Sequence, residues 1–328
     1  MFSSFANVWT IVGLARDLKP GRPLPMRVAG ERIVFFRDAS GNAAALLDRC
    51  PHRGVALSLG RVDRGVIECP FHGWRFDGSG ANCGAPFNPD AKRENLGAIS
   101  LPARESGGLL WLYTGFSPED EPALSDTFAA PGLALCAQSV LWRAHWTRVM
   151  ENMLDMPHLP FVHRRTIGAG LRELVEKRMD VYWEDRPYGA RVTNAVDSVP
   201  RPGALEYRFP NVMELFIDPP GKLFRLMVAC VPEDEETTRL ILLTMRDFAR
   251  SPLLHPVFRW MNRRIANEDQ TIVESSLPHE VPPPAEEASV RTDAPTLAFR
   301  RIYRQRLLGS AATPPPRAAA PGKTPAAP

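Results

Sequence analysis

Cys50-Pro51-His52-Arg53-Gly54 and Cys69-Pro70-Phe71-His72-Gly73-Trp74 are two versions of one short pattern, a cysteine and a histidine followed by glycine. One residue separates Cys from His in the first and two in the second, and sixteen residues, 53 to 68, lie between the halves. Each glycine lets its loop come close to a bound group. Two hairpin-like loops, each presenting one thiolate and one imidazole, can grip a two-iron cluster asymmetrically. The cysteines take one iron and the histidines the other, which raises the potential above that of an all-cysteine cluster. The competing reading is a structural zinc site. Zinc fingers, however, group their cysteines together and their histidines together with wider helical spacing, whereas here Cys and His alternate.

The sequence around these loops reads as short strands. Arg32–Arg37 is rich in Ile, Val and Phe, Gly41–Asn42 is a turn signal, and Ala44–Asp48 is a second apolar run. Leu109–Tyr113 reads as a last strand and the acidic, proline-containing Ser117–Ser125 as a linker. An antiparallel β domain is therefore expected over residues 1–120. At 328 residues, 44% hydrophobic and 23% charged, the chain has material for about two globular domains. A net charge of +3 gives no reason to expect nucleic acid or an anionic membrane as partner. No run approaches the apolar length of a membrane span, and Met1–Ala15 lacks the basic flank of a secretory signal. Five cysteines, two of them beside histidines, favour metal binding in a reducing compartment over a disulfide framework. A soluble cytoplasmic protein is expected. Cys83, Cys136 and Cys230 match no ligand position and read as small buried hydrophobes. The tail, residues 311–328, is rich in Ala and Pro without large apolar residues and is expected to be disordered.

A second concentration of polar groups is Glu151–His163, E-N-M-L-D-M-P-H-L-P-F-V-H. Groups of this kind among Met, Leu, Phe and Val must be paired or bound to something, because burying them bare costs several kcal/mol. Two neutral imidazoles with a carboxylate from elsewhere make the facial triad of a non-haem Fe(II) site; a core histidine beside a surface one is the other reading. The pattern predicts a helix over Leu141–Leu159 with Asn152, Asp155 and His158 on one side. On a regular helix His163 would lie roughly 140° round from His158, too far to share an ion. Pro157 and Pro160 break that geometry and allow His163 to be re-aimed. Asp247, Glu268, Asp269 and Glu274 are candidates for the carboxylate. Trp260–Ser275 reads as a helix whose inward stripe is Ile265, Asp269, Ile272 and Val273, so Asp269 is the carboxylate on the buried side. Between the two helices, Asp180–Ser198, Tyr207–Ile217, Leu223–Val231 and Arg239–Phe248 read as strands. Phe161, Phe209, Met213, Phe216, Phe224 and Met227 could line an apolar pocket, although aromatics at strand spacing are more often core.

The stretch C-P-H-R-G…C-P-F-H-G-W-R-F-D-G-S-G resembles the Rieske [2Fe-2S] motif of ring-hydroxylating oxygenase α subunits. The resemblance makes Cys50, His52, Cys69 and His72 the cluster ligands. E-N-M-L-D-M-P-H-L-P-F-V-H is similar to the N-x-x-D-x-x-H-x-x-x-x-H mononuclear iron motif of the same family, and N-E-D-Q-T-I-V-E-S to the segment that supplies its third ligand. By that resemblance His158, His163 and Asp269 bind Fe(2+). Asp155 matches the aspartate that bridges a metal histidine of its own subunit and a cluster histidine, here His72, of a neighbouring one. Asn152 matches an asparagine close to the iron. The fold implied is α+β, an N-terminal all-β Rieske domain (residues 1–120) followed by an antiparallel-sheet, helix-grip catalytic domain (residues 121–310).

The same resemblance implies an O2-dependent oxygenase that hydroxylates or oxidatively demethylates an apolar aromatic or polycyclic substrate. Electrons would come from NAD(P)H through a separate ferredoxin or flavin-dependent reductase, since the chain has no G-x-G-x-x-G fingerprint and no plant-type ferredoxin cysteine run. The all-in-one chain resembles the homotrimeric monooxygenase and demethylase branch. A cis-dihydroxylating arene dioxygenase and a Rieske electron carrier are the alternatives.

Overall fold

A computed structural model describes residues 1–314. The chain divides into two compact units, Met1–Pro122 with Gly309–Pro328, and Ala123–Leu308.

The first unit contains β1 (Trp9–Leu14), β2 (Leu24–Val28), β3 (Glu31–Arg37), β4 (Ala43–Leu47), β5 (Arg61–Asp63), β6 (Val66–Glu68), β7 (Arg75–Phe76), β8 (Asn82–Gly84), β9 (Ser100–Leu101), β10 (Ala103–Ser106) and β11 (Leu109–Tyr113). They form three antiparallel sheets, in the orders β1-β11-β10, β2-β3-β4-β9 and β5-β6-β7-β8. Strand β3 is buried on both faces, which its unbroken Ile33-Val34-Phe35-Phe36 run requires. Val34, Phe36, Leu46, Ile67 and Phe76 pack into one core with Cys50 and Cys69, so the two Cys-His loops stand on a rigid base. The chain returns to this unit at its C-terminal end. Ala312 is 4% exposed and its N–H donates to the Met1 carbonyl at 2.9 Å, while the Ser4 N–H donates to the Ser310 carbonyl. Of the tail expected to be disordered, residues 311–314 are thus described and Ala312 is held by backbone bonds; residues 315–328 lie outside the described residues.

The second unit opens with β12 (Ala134–Trp142), α1 (Trp146–Leu154) and α2 (Leu159–Val162). Strands β13 (Met179–Arg186), β14 (Gly189–Val196), β15 (Val199–Pro200), β16 (Ala204–Arg208), β17 (Val212–Phe216), β18 (Phe224–Pro232) and β19 (Thr238–Arg246) follow, then α3 (His255–Val273) and α4 (Ala294–Arg306). The sheet is antiparallel, in the order β12-β19-β18-β17-β16-β14-β13 with β15 beside β14. Helices cover one face of it: Asn262 of α3 donates to Thr244 of β19, and Phe299 of α4 packs edge-on against Tyr207 of β16. This is an α+β architecture with a long helix held against a sheet, as the resemblance implied.

Several elements differ from the sequence expectation. Leu141 and Trp142 end a strand, because Leu141 pairs with Arg239 and Trp142 with Thr238. The first helix begins only at Trp146, where the His145 imidazole accepts from the Thr147 N–H as an N-cap. Asp180–Ser198 is a hairpin of two strands, and Tyr207–Ile217 likewise splits between β16 and β17. Helix α3 starts five residues before Trp260, with Pro256 in its first turn, where the missing N–H costs nothing. Its buried stripe is Asn262, Ala266, Asp269 and Val273; Ile272, expected inside, is 54% exposed.

Candidate metal centres

The two Cys-His loops are closed in the same way. The Cys50 N–H donates to the Val55 carbonyl and the Gly54 N–H to the Cys50 carbonyl, at 2.8 and 2.9 Å. The Cys69 N–H donates to the Trp74 carbonyl and the Gly73 N–H to the Cys69 carbonyl, at 2.8 and 3.0 Å. Gly54 and Gly73 take φ of +73° and +67°, which only glycine adopts without strain, so each loop can turn back on its cysteine. The result is two buried thiols, a half-buried His52 and an exposed His72. Cys50 and Cys69 are each 2% exposed, whereas His72 is exposed and its ring centroid lies 4.6 Å from that of His52. His52 also stacks on Trp74 with centroids 4.5 Å apart.

Electrostatics favour a bound cation here. Burial pushes the Cys50 thiol up to about 11, and the adjacent Cys69 adds to the rise. Burial thus disfavours the Cys50 thiolate in the absence of a cation, and a metal that replaces its proton removes that cost. Desolvation, followed by His72 and Arg53, holds His52 below the ordinary histidine value, in the neutral form that ligates metal. His52 Nδ1 is buried with no hydrogen-bond partner. Two soft and two borderline donors with one orphaned ring nitrogen fit the cluster that the resemblance implied. Of the cysteines expected to be small buried hydrophobes, Cys136 and Cys230 are buried, whereas Cys83 is exposed.

The second centre forms where α1 ends. Its last residue is Leu154; Asp155 turns extended at φ −85° and ψ 130° while its N–H still donates to the Glu151 carbonyl. Met156 precedes Pro157, whose ring disfavours helix in the residue before it. The expected continuous helix therefore breaks, and Asp155 and His158 occupy the break. A one-turn helix, α2, restarts with His158 at its N-terminal flank, Pro160 in its first turn and His163 just past its end. Gly168 lets the following chain close over it, since a Cβ there would sit 1.9 Å from the Leu159 carbonyl oxygen.

Across this turn the two imidazoles face Asp269 of α3. His163 Nε2 lies 3.1 Å and His158 Nε2 3.5 Å from Asp269 Oδ1, and one donor atom from each residue falls within 4.8 Å of the others. Each ring turns its other nitrogen toward a second carboxylate. His163 Nδ1 is hydrogen-bonded to Glu268 Oε2 at 2.9 Å, and His158 Nδ1 lies 3.4 Å from Asp155 Oδ2, outside hydrogen-bond geometry. His163 and Asp269 are buried and His158 nearly so, yet Asp269 Oδ1 and His158 Nδ1 have no hydrogen bond. A buried carboxylate oxygen aimed at two imidazoles without bonding either is arranged for a shared cation. Burial alone would lower the His163 pKa, but Asp269 and Glu268 together raise it, which shows how much negative charge converges on the ring.

Of the other candidates, Glu268 stands behind His163 and also accepts from the Thr166 hydroxyl at 2.6 Å. Glu274 Oε1 accepts from the Arg143 N–H, and Asp247 accepts from the Leu223 N–H at the far end of the sheet. Asn152 is half-buried in the last turn of α1. Sequence reasoning missed the place of Glu151, which joins an ion network with Arg148, Arg300 and Glu287. The signal was present in Arg148, one helical turn before Glu151, but Arg300 comes from 149 residues away. Among the proposed pocket residues, Phe224 faces α3, with its ring 6.1 Å from Phe258, while Phe216 and Met227 pair with Arg225 and Glu214 on the opposite face of the sheet. Phe161 is 63% exposed.

Residues 8–95 match the Rieske [2Fe-2S] domain family, and residues 142–308 match the vanillate O-demethylase oxygenase C-terminal domain. Among curated proteins, the chain is 27% identical over 292 residues to chlorophyllide a oxygenase of Chlamydomonas reinhardtii, covering 81% of this chain and 43% of that protein. It thus spans about half the length or less of the chlorophyllide a oxygenases it matches. The 4beta-methylsterol monooxygenase of Methylococcus capsulatus is 29% identical over 309 residues, covering 82% of this chain and 79% of its own. Among solved structures, NdmB of Pseudomonas putida CBB5 superposes with a TM-score of 0.78 at 26% identity, over 91% of this chain and 90% of its own. Two family matches in this order, each spanning one of the two centres, place the chain among the Rieske non-haem iron oxygenases, with a Rieske [2Fe-2S] domain ahead of a vanillate O-demethylase-type oxygenase domain.

Proposed function

We propose that the chain is the oxygenase component of a monooxygenase or demethylase acting on an apolar aromatic or polycyclic substrate, with electrons from NAD(P)H delivered by a separate ferredoxin or flavin-dependent reductase. The observation that carries this is the buried His158–His163–Asp269 set, which an electron carrier does not need. When bound, a Rieske cluster supplies single electrons and an open-coordinate Fe(2+) supplies a place where O2 and substrate meet. Cys50, His52, Cys69 and His72 would hold the first and His158, His163 and Asp269 the second. Glu268 fixes the His163 ring by accepting at Nδ1, which leaves Nε2 free to ligate.

Relatives support the substrate class. Methylxanthine N3-demethylase and dicamba O-demethylase are both named as demethylases, and the methylsterol protein as a monooxygenase. A homotrimer in the cytoplasm is part of the same reading. No helix among the described residues is long and apolar enough to cross a membrane. Iron analysis tests the reading directly. Three irons per chain, with NADH-dependent O2 uptake and isotopic oxygen recovered in the product or in released formaldehyde, are expected; two irons per chain would leave an electron carrier.

Asp155 is proposed to bridge His158 and His72 of a neighbouring subunit. Its side chain is about one-third exposed, and His72 is exposed on its own unit, so both are available to a partner. Asp155→Ala should retain both metal centres yet slow oxidation of the cluster in single turnover by at least about tenfold, as loss of a charge-assisted hydrogen bond of 1.5–3 kcal/mol implies. Cluster oxidation at the unaltered rate would remove the role.

A further inference from the structure

Register fixes which side chains of the catalytic sheet face the helices. Val192 pairs with Leu205, Leu205 with Leu215, Leu215 with Leu226, and Leu226 with Thr244, the residue that bonds Asn262 of α3. Asn194, two residues beyond Val192, therefore shares this side. Leu205 is 3% exposed, but Leu215 near the end of β17 and Leu226 near the start of β18 are only half-buried although helices cover this face, and Ile217, just past β17, is 43% exposed. Apolar side chains left accessible between a sheet and its covering helices line a cleft.

Polar groups nearby on this side already have protein partners. The Thr244 hydroxyl accepts from Asn262, and the Tyr207 hydroxyl donates to the Pro210 carbonyl. Asn194 is different. Its Nδ2 donates to Met156 Sδ at 3.2 Å, and its Oδ1 makes no hydrogen bond among the described residues. A thioether is a weak acceptor, so the amide keeps most of its hydrogen-bonding capacity for something else. Met156 lies between Asp155 and His158, which sets the Asn194 amide at the margin of the His158–His163–Asp269 centre.

We propose that Asn194 is the specificity-determining residue of this cleft. Its amide engages a hydroxyl, carbonyl or ether oxygen on a hydrocarbon-bodied ring system, whose apolar part lies against Leu215, Ile217 and Leu226. The substrate class is thus a flat or fused-ring compound carrying one oxygen function. Only the word substrate rests on the oxygenase reading. A site with an unspent amide discriminates strongly against an analogue that lacks the matching group, because the analogue leaves the amide unpaired.

Binding under anaerobic conditions without reductant tests this on the holoenzyme, with no turnover needed. The probes are naphthalene against naphthol, and androstane against androstanol, followed by quenching of tryptophan fluorescence. The wild type should bind the oxygenated member of at least one pair about tenfold or more tightly, as one hydrogen bond to a neutral group implies. Asn194→Leu should abolish that preference while binding the plain hydrocarbon as well as the wild type or better. Asn194→Thr, which keeps a hydroxyl, should restore part of it, and its iron content serves as the check on folding should Asn194→Leu lose metal. No preference in the wild type in either pair, or one that survives Asn194→Leu, overturns the inference. Preference intact with no product formed from any probe under turnover would count against the oxygenase reading and leave the role of Asn194 standing.

Discussion

Asp269→Ala is expected to lower iron from three to two atoms per chain while the visible absorption of the cluster persists, and to reduce product formation at least about a thousandfold. The magnitude follows from removing a metal that stabilises charge by several kcal/mol, at about 1.4 kcal/mol per tenfold in rate. Asp269 is 5% exposed and its Oδ1 stands between two imidazole nitrogens, so no other carboxylate can replace it without moving α3. Glu268→Gln separates ligation from orientation. It preserves the shape of the side chain but weakens the hold on His163 Nδ1, and the affinity for iron should fall by about 10–100-fold with the site still able to load at high iron. Iron and cluster are quantified on the same samples by chelation assay and absorbance. Three irons retained by Asp269→Ala would remove Asp269 from the ligand set.

The second large effect is on stability and comes from Glu151, the residue just before the iron motif, which does not reach the metal. Glu151 Oε1 accepts from Arg300 Nε at 2.5 Å, and its Oε2 accepts from Arg148 Nη1 and Arg300 Nη2, both at 3.1 Å. Glu287 bonds both arginines as well, at 2.7 and 2.5 Å. Two cations and two anions balance, with the arginine side chains 9% and 7% exposed. Glu151→Ala leaves one positive charge uncompensated there and should destabilise the second unit by roughly 3–5 kcal/mol, the usual effect of breaking a buried pair from one side. Chemical denaturation followed by tryptophan fluorescence measures it. A loss below about 1 kcal/mol, typical of exposed pairs, would show that the network is solvated.

The network also predicts an acid limit. Hydrogen bonds from Arg148, then from Arg300, hold Glu287 below the ordinary carboxylate value against the desolvation that would raise it. A depressed folded pKa means that this stabilisation is complete above the unfolded value, about 4.3, and is lost as pH falls through the folded one.

Legibility of the site followed the range of the interactions. The Cys50–Gly54 and Cys69–Gly73 loops are closed by bonds between residues at most five apart and by glycines that the loops require, so the motif carries its own geometry. The position of Asp269 was readable from helical periodicity, yet the stripe it belongs to was not: Asn262 and Ala266 are inside and Ile272 is outside. Periodicity reports that a face exists, while the neighbours decide which residues form it. The hairpins at residues 179–196 and 204–216 read as single strands on their apolar content, although Pro187-Tyr188-Gly189 and Pro210-Asn211 mark the turns within them.

The sequence alone determined the identity and order of both centres, because ligand types, spacings, glycines and prolines act over a few residues. The tertiary structure decided three other things. It put Leu141 and Trp142 in β12, where they pair with β19, so that α1 begins only at Trp146. It brought Glu268 and Asp269 to His163 across about a hundred residues of chain. It also gave Asn194 its place beside Met156, 38 residues away, on the side of the sheet that faces the helices. Those placements depend on strand register and on the packing of α3 against β19, and no local pattern encodes either.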